Sequence, residues 1–348
     1  MDLTYSLAVA AIIVVVVFDY TNGFHDAANI VATPIASRAM TPIQAVTVVA
    51  IFEFLGPLLG GTAVANTIGK FIDMGDLAAS VSLTVVLCGA IGAIGWNMAT
   101  WWFGIPSSSS HALVGGLAGP VVVAAGPQHV VWGFATFFET GHLTGVLKVL
   151  VALILSPVIG FWVGFVLHRL MSFLLRAARP GINRYLRLSQ YFSSAGMAFS
   201  HGANDAQKSM GIITMVLLMG GFISEFAVPF WVVLVCASAI TLGVLSGGWR
   251  IVRTIGFGIY KVRPLHAVDG QVSSAGVIFG AALLGGPVST THVTSSAIMG
   301  IGASERPKAV HWNKAREILA TWALTIPGAA LAGVLTYLIV QGTMLVAG

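Results

Sequence analysis

No charged residue occurs between Leu3 and Phe18, and this run is the first of several like it. Others lie near residues 42–64, 78–103, 147–168, 209–222, 228–247 and 317–340, the first itself extending over 4–24. Crossing a hydrocarbon layer of about 30 Å takes about 20 apolar residues in a helix. A soluble domain carries charge on about a quarter of its residues; here the share is 8%, hydrophobic residues make up 57% and mean hydropathy is +0.91. These values exclude a soluble enzyme, a disordered chain and a disulfide-stapled module. The net charge of +5 does not point to nucleic acid, because the 17 Lys and Arg residues are scattered through the segments between apolar runs and so read as topology signals. Cys88 and Cys236 each sit inside an apolar run without metal-ligand spacing. Leu3–Phe18 has no basic lead-in and no small-residue cleavage site, so it reads as a retained transmembrane helix. The expected fold is an all-α integral membrane protein with the lipid bilayer as its surroundings.

Two apolar stretches, 104–127 and 271–302, are interrupted by Gly-Pro pairs and runs of hydroxyl residues. Irregular backbone at membrane depth is tolerated only where protein buries it or where it lines a watery cavity, which suggests re-entrant helical hairpins.

Self-comparison exposes a duplication. Asn22-Gly23-Phe24-His25-Asp26-Ala27-Ala28-Asn29 lies over His201-Gly202-Ala203-Asn204-Asp205-Ala206-Gln207-Lys208. Gly60-Gly61 with Thr67-Ile68-Gly69 lies over Gly247-Gly248 with Thr254-Ile255-Gly256, and Pro106 to His111 over Pro287 to His292. Three matches in one order define a repeated unit of roughly 170–180 residues. The boundaries read as 1–168 for one half, 169–188 for a short basic linker and 189–348 for the other. Between equivalent loops the basic excess changes side: Arg38 faces Glu225, whereas Asp73 and Asp76 face Arg250, Arg253, Lys261 and Arg263. By the positive-inside rule the halves are then inverted, the Arg-rich linker is cytoplasmic and both termini are outside. About 10–12 membrane segments in a multi-pass cell-membrane protein follow from that pattern.

Ionisable residues inside apolar segments cost roughly 2.5–3.5 kcal/mol each at a helix centre and so need a reason. They are Asp19, Asp26, Glu53, Asp205 and Lys208. Asp19 and Glu53 have no counterpart in the other half and read equally as polar knots between helices. Asp26 and Asp205 share a repeated context. Asp26 with Asn29, and Asp205 with Lys208, are three residues apart on one helix face. Carboxylate plus amide oxygen suits Na⁺ or a proton rather than a soft metal. Lys208 either fills the position of a cation or neutralises an anionic substrate. Ser108, Ser109 and Ser110, and Ser289, Thr290 and Thr291, follow a proline at a new helix start, where hydroxyls either cap the turn or join the N-terminal N–H groups in holding an anion. His111 and His292 are equivalent by the repeat and read as hairpin braces; His25 stands in the place of Asn204 and is the better candidate for moving protons.

Gly23 to Asn29, Ser200 to Lys208 and Gly286 to His292 closely resemble the inorganic phosphate transporter (PiT) family, over both halves. The resemblance implies symport of phosphate with Na⁺ or H⁺ through an inverted-repeat fold. It assigns Asp26, Asn29, Asn204 and Asp205 to ion and substrate binding and the two hydroxyl clusters to phosphate. His25 in place of an asparagine, and Gln207-Lys208 at the end of the second copy, resemble the bacterial branch, which implies proton coupling and carriage of metal–phosphate complexes. The expectation is a symporter importing phosphate. Ser108, Ser109, Ser110, Ser289, Thr290, Thr291, Asn204 and Lys208 are its substrate residues; Asp26, Asn29, Asp205, His25 and Gln207 are its coupling-ion residues. No cofactor is expected beyond the co-transported cation, with a divalent metal accompanying phosphate as one option; a homo-oligomer is compatible with the sequence. Na⁺ coupling and another tetrahedral oxyanion such as sulfate stay open. An intramembrane hydrolase is disfavoured, since the motifs are symmetric whereas a nucleophile and its base play unlike roles, and no Gly-x-Ser-x-Gly occurs.

Overall fold

The computed structural model describes residues 3–105, 107–247 and 259–347. Pro106, Gly248, Arg250, Arg253 and the Thr254-Ile255-Gly256 copy of the second sequence match lie outside the described residues. The first half runs α1 (Leu3–Ala36), α2 (Pro42–Leu59), α3 (Ala63–Ile68), α4 (Ala79–Trp102), α5 (Ser109–Ala124), α6 (Phe134–Thr140) and α7 (Gly145–Leu174). The second runs α8 (Ile182–Met219), α9 (Phe230–Ser246), α10 (Pro264–Leu283), α11 (Thr290–Glu305) and α12 (Trp312–Ala347). Among the described residues there is no strand, and α1, α2, α4, α7 and α12 are long and apolar enough to cross a membrane.

Burial is inverted relative to a soluble protein. Asp19, Glu53 and Asp205 are fully buried, and Asp26 and Lys208 are 1% exposed, while Ile154 and Ile339 on the long helices are 67% exposed. With hydrocarbon outside, an apolar surface carries no penalty, and the charged groups gather inside where they can satisfy one another.

One expected boundary shifts. The run at 209–222 belongs to a helix that starts at Ile182 and passes unbroken through the Asn204-Asp205 motif. Its buried polar residues lower its hydropathy, which hides the helix from a hydrophobic reading. The linker expected at 169–188 is mostly helical, because α7 extends to Leu174 and α8 begins at Ile182. Pro180 and Gly181 mark the break. Proline cannot continue a helix, and arginines, being good helix formers, favour one on either side.

The halves interlock. Helix α9 packs on α1, and α2 on α8; α5 packs on α12, and α11 on α7. Glycine makes the first two crossings possible. A Cβ at Gly23 would strike the Ile240 carbonyl and one at Gly243 the Tyr20 carbonyl; likewise Gly202 meets the Glu53 carbonyl and Gly56 that of Phe199. Small residues let membrane helices approach this closely. Gly23 and Gly202 each precede a motif aspartate by three residues, so the close crossing sets the depth and direction of Asp26 and Asp205.

Candidate functional site

The hairpin turns are built alike. Helix α4 closes with Ile105 N donating to Thr100 O and Gly104 N to Trp101 O, both at 2.9 Å. Helix α10 closes with Gly286 N donating to Ala281 O at 2.8 Å and Gly285 N to Ala282 O at 3.0 Å. Gly104 and Gly285 have φ of +66° and +68°, the left-handed cap that glycine tolerates best. After each turn a hydroxyl caps the next helix: Ser108 accepts from His111 N at 3.2 Å and Ser289 from His292 N at 3.4 Å. Their neighbours point elsewhere. Ser109 Oγ donates to Asp26 Oδ2, and Thr290 Oγ1 to Asp205 Oδ1, each at 3.2 Å.

The third hydroxyl of each cluster crosses between halves. Thr291 Oγ1 donates to Asp26 Oδ1 at 3.2 Å and accepts from Asn29 Nδ2 at 2.9 Å. In the mirrored position Ser110 Oγ accepts from Lys208 Nζ at 2.5 Å and donates to the Val288 carbonyl at 2.9 Å. Lys208 also reaches Asp205 Oδ1 at 2.8 Å and the Val288 carbonyl at 2.9 Å. An ammonium has three protons, and those three partners use them all.

Two histidines join the carboxylates. His25 Nδ1 lies 2.8 Å from Asp26 Oδ1, and its Nε2 lies 3.3 Å from Ser107 Oγ. His201 Nδ1 lies 2.5 Å from Glu53 Oε1, while its Nε2 points between Asp26 Oδ2 at 3.8 Å and Asp205 Oδ2 at 3.7 Å. Asn22 Nδ2 donates to Asp205 Oδ2 at 3.3 Å. The result is one buried cluster in which both motif aspartates, both hydroxyl clusters and His201 with Glu53 meet. A cavity of about 900 Å³ lies elsewhere: it is apolar, lined by residues such as Leu153, Trp162 and Trp322, and touches the hairpins through His111 and His292.

The structure therefore brings together Asp26, Asn29, Asp205, His25, Lys208, Ser109, Ser110, Thr290 and Thr291. Ser108 and Ser289 serve as caps. Asn204 turns its amide to the backbone, donating to Gly286 O at 3.0 Å and accepting from Val288 N at 3.2 Å, which braces the second hairpin. Gln207 does the same at the start of α3: its Oε1 accepts from Val64 N at 2.8 Å and its Nε2 donates to Ala203 O at 2.6 Å. His201 and Glu53 were not among the expected site residues. His201 precedes Asp205 by four positions and so shares its helix face, a signal present in the sequence; its partner Glu53 lies on α2 and could be matched to it only in three dimensions. Asp19 is buried, and among the described residues neither of its carboxylate oxygens has a hydrogen-bond partner.

Comparison with known proteins bears on family and fold. The profile of the phosphate transporter family matches residues 22–333, a span that contains both motif copies and both hairpins. A Bacillus subtilis (strain 168) protein named "Probable low-affinity inorganic phosphate transporter" is 40% identical over 343 residues, covering 98% of this chain and 99% of its own length. A Rhizobium meliloti (strain 1021) protein of the same name is 43% identical over 338 residues, covering 96% and 97%. A solved structure titled "The sodium-dependent phosphate transporter" superposes with a TM-score of 0.77 over 97% of this chain and 99% of that one; at 23% identity the likeness speaks for the fold. With the match spanning most of the sequence and the relatives aligned from end to end, the chain belongs to the phosphate transporter family, a family of multi-pass membrane transporters rather than enzymes.

Proposed function

We propose that this transporter imports inorganic phosphate by symport with H⁺, and that Lys208 stands in for one coupling cation. The observation that carries the proposal is the Lys208 ammonium on Asp205, with all three protons engaged. It favours a built-in cation over a group reserved for the substrate. Asp205 is then neutralised permanently, whereas Asp26, whose partner at the same spacing is the uncharged Asn29, still needs a cation.

The hydrogen bonds supply the coupling logic. Ser109 and Thr291 spend their hydroxyl protons on Asp26 in this structure. A proton arriving on Asp26 removes the negative charge that holds those hydroxyls and turns them toward a tetrahedral anion between the hairpins. Phosphate binding and protonation then favour each other, as linkage requires. His201, between Glu53 and the two aspartates, and His25, on Asp26, are the groups suited to deliver that proton. The two halves lie in inverted orientation with the linker on the cytoplasmic side, so that rocking of the interlocked repeats alternates access.

A sodium reading draws on Asn22 Oδ1 and Asn29 Oδ1, buried acceptors near Asp26 and Asp205 that lack hydrogen-bond partners. The Lys208→Asn variant separates the two readings. Proton coupling with a built-in ammonium predicts that this variant loses uptake or acquires dependence on Na⁺, because a buried carboxylate left alone is strongly disfavoured. Uptake by Lys208→Asn that stays at the wild-type rate without Na⁺ rejects the proposal.

A further inference from the structure

We propose that His168, His266 and Glu305 form a binding site for one divalent transition-metal ion, separate from the transport site. His168 lies near the end of α7, His266 in the first turn of α10 and Glu305 at the end of α11, so the three join the first half to the second. Their donor atoms lie within 4.8 Å of one another, and both histidines are buried.

The surroundings are those of a ligand set. Asp269 Oδ2 lies 2.6 Å from His168 Nδ1. A carboxylate there accepts a hydrogen bond from Nδ1–H, fixes the ring and leaves Nε2 with its lone pair, which is how metal-ligating histidines are commonly held. His168 Nε2 meets nothing stronger than the Ser172 hydroxyl at 3.3 Å. His266 Nε2 lies 2.9 Å from Glu305 Oε2. Its Nδ1 sits between a donor, Arg263 N at 3.2 Å, and an acceptor, the Lys261 carbonyl at 3.3 Å, so the backbone supports either tautomer. With the proton on Nδ1, the Nε2 lone pair, which Arg263 Nη2 approaches at 3.3 Å, goes to a metal once that half-exposed guanidinium swings aside. Arg263 pairs with Glu305 Oε1, while Oε2 accepts from the Tyr260 hydroxyl at 2.8 Å and faces the His266 imidazole. Ligand bonds of about 2.0–2.2 Å require donors about 3.5 Å apart, so closing the site takes a movement on the order of 1 Å.

Two neutral imidazoles with one carboxylate select Zn²⁺, Co²⁺ or a similar ion over Na⁺, Mg²⁺ or Ca²⁺. A cavity of about 530 Å³, bordered by Ser172, Asn183 and Arg187, opens beside the cluster and leaves room for water or an anion as a further ligand. The first half offers no equivalent ligands, since Val85 and Cys88 in α4 occupy the positions of His266 and Asp269. It therefore stands outside the duplicated transport machinery. A metal here would bind the end of α7 to α10 and α11 and so regulate how freely the halves move.

The test is Co²⁺ titration of the purified, untagged full chain in detergent after chelator treatment, followed by visible absorption and by displacement with Zn²⁺. One Co²⁺ per chain is expected in the wild type, with no binding in His168→Gln or His266→Gln. Asp269→Asn, which leaves both imidazoles in place, should bind about 10–100-fold more weakly. Asp26→Asn should bind as the wild type does, since Asp26, His201 and Asp205 form a second cluster with donor atoms equally close. No Co²⁺ binding by the wild type overturns the proposal. So does binding that survives all three substitutions near α10 and α7, or binding that disappears in Asp26→Asn.

Discussion

A change of one residue in the hairpins changes what a hydroxyl bonds. Ser108 accepts from His111 N, whereas Ser109 donates to Asp26. On the proposed function, Ser109→Ala and Thr290→Ala each remove a donor to the anion, and a hydrogen bond to a charged group is worth about 1.5–3 kcal/mol. Apparent phosphate affinity should fall about ten- to a hundred-fold in each. Ser108→Ala removes a cap instead and should lower thermal stability by about 1 kcal/mol with affinity unchanged. Uptake titrations and melting curves on the three variants decide between the roles; equal loss of affinity in all three would contradict the division. Asp26→Asn and Asp205→Asn should both abolish uptake while the protein still inserts, because removing a buried charge does not hinder insertion. Wild-type transport by either would break the paired-site account. The repeat made the aspartates and hydroxyls legible in the sequence, since each appears twice in the same context. The orientation of each hydroxyl was not legible, because it depends on which residue starts the helix. Glu53 remained ambiguous for a different reason: its partner His201 comes from the other half.

At the scale of elements, the long α8 was the least legible feature. Hydropathy reports the lipid-facing surface, and much of α8 is buried in protein and lined with Ser, Asn, Asp, Gln and Lys. The hairpins, by contrast, announced themselves through Gly, Pro and hydroxyl runs, and the turns fall where those residues lie. The α2–α8 crossing also yields a test. Gly202→Ala places a methyl against the Glu53 carbonyl, whereas Gly196→Ala on the same helix meets nothing within 4 Å. Overpacking of this kind costs about 1–3 kcal/mol, and the shift moves Glu53 relative to His201. Gly202→Ala should therefore melt earlier and transport poorly, while Gly196→Ala should match the wild type. Equal behaviour of the two variants would show that the crossing is not tight.

Seen whole, helices from the N-terminal half of the chain complete their packing on helices from the C-terminal half: α1 lies against α9, α2 against α8, α5 against α12 and α7 against α11. Neither half encloses its own carboxylate, because Thr291 reaches back to Asp26 and Asn22 reaches across to Asp205. A single half expressed alone should not fold, whereas halves divided within 175–181 and co-expressed should reassemble and transport. The central claim is that a proton, and not Na⁺, accompanies phosphate. Uptake of labelled phosphate into sodium-free proteoliposomes, with the exterior made acidic, measures it most directly. The account predicts accumulation that collapses when the pH gradient is dissipated and is indifferent to added Na⁺. Uptake that stays absent under the pH gradient and begins only when Na⁺ is supplied would contradict it.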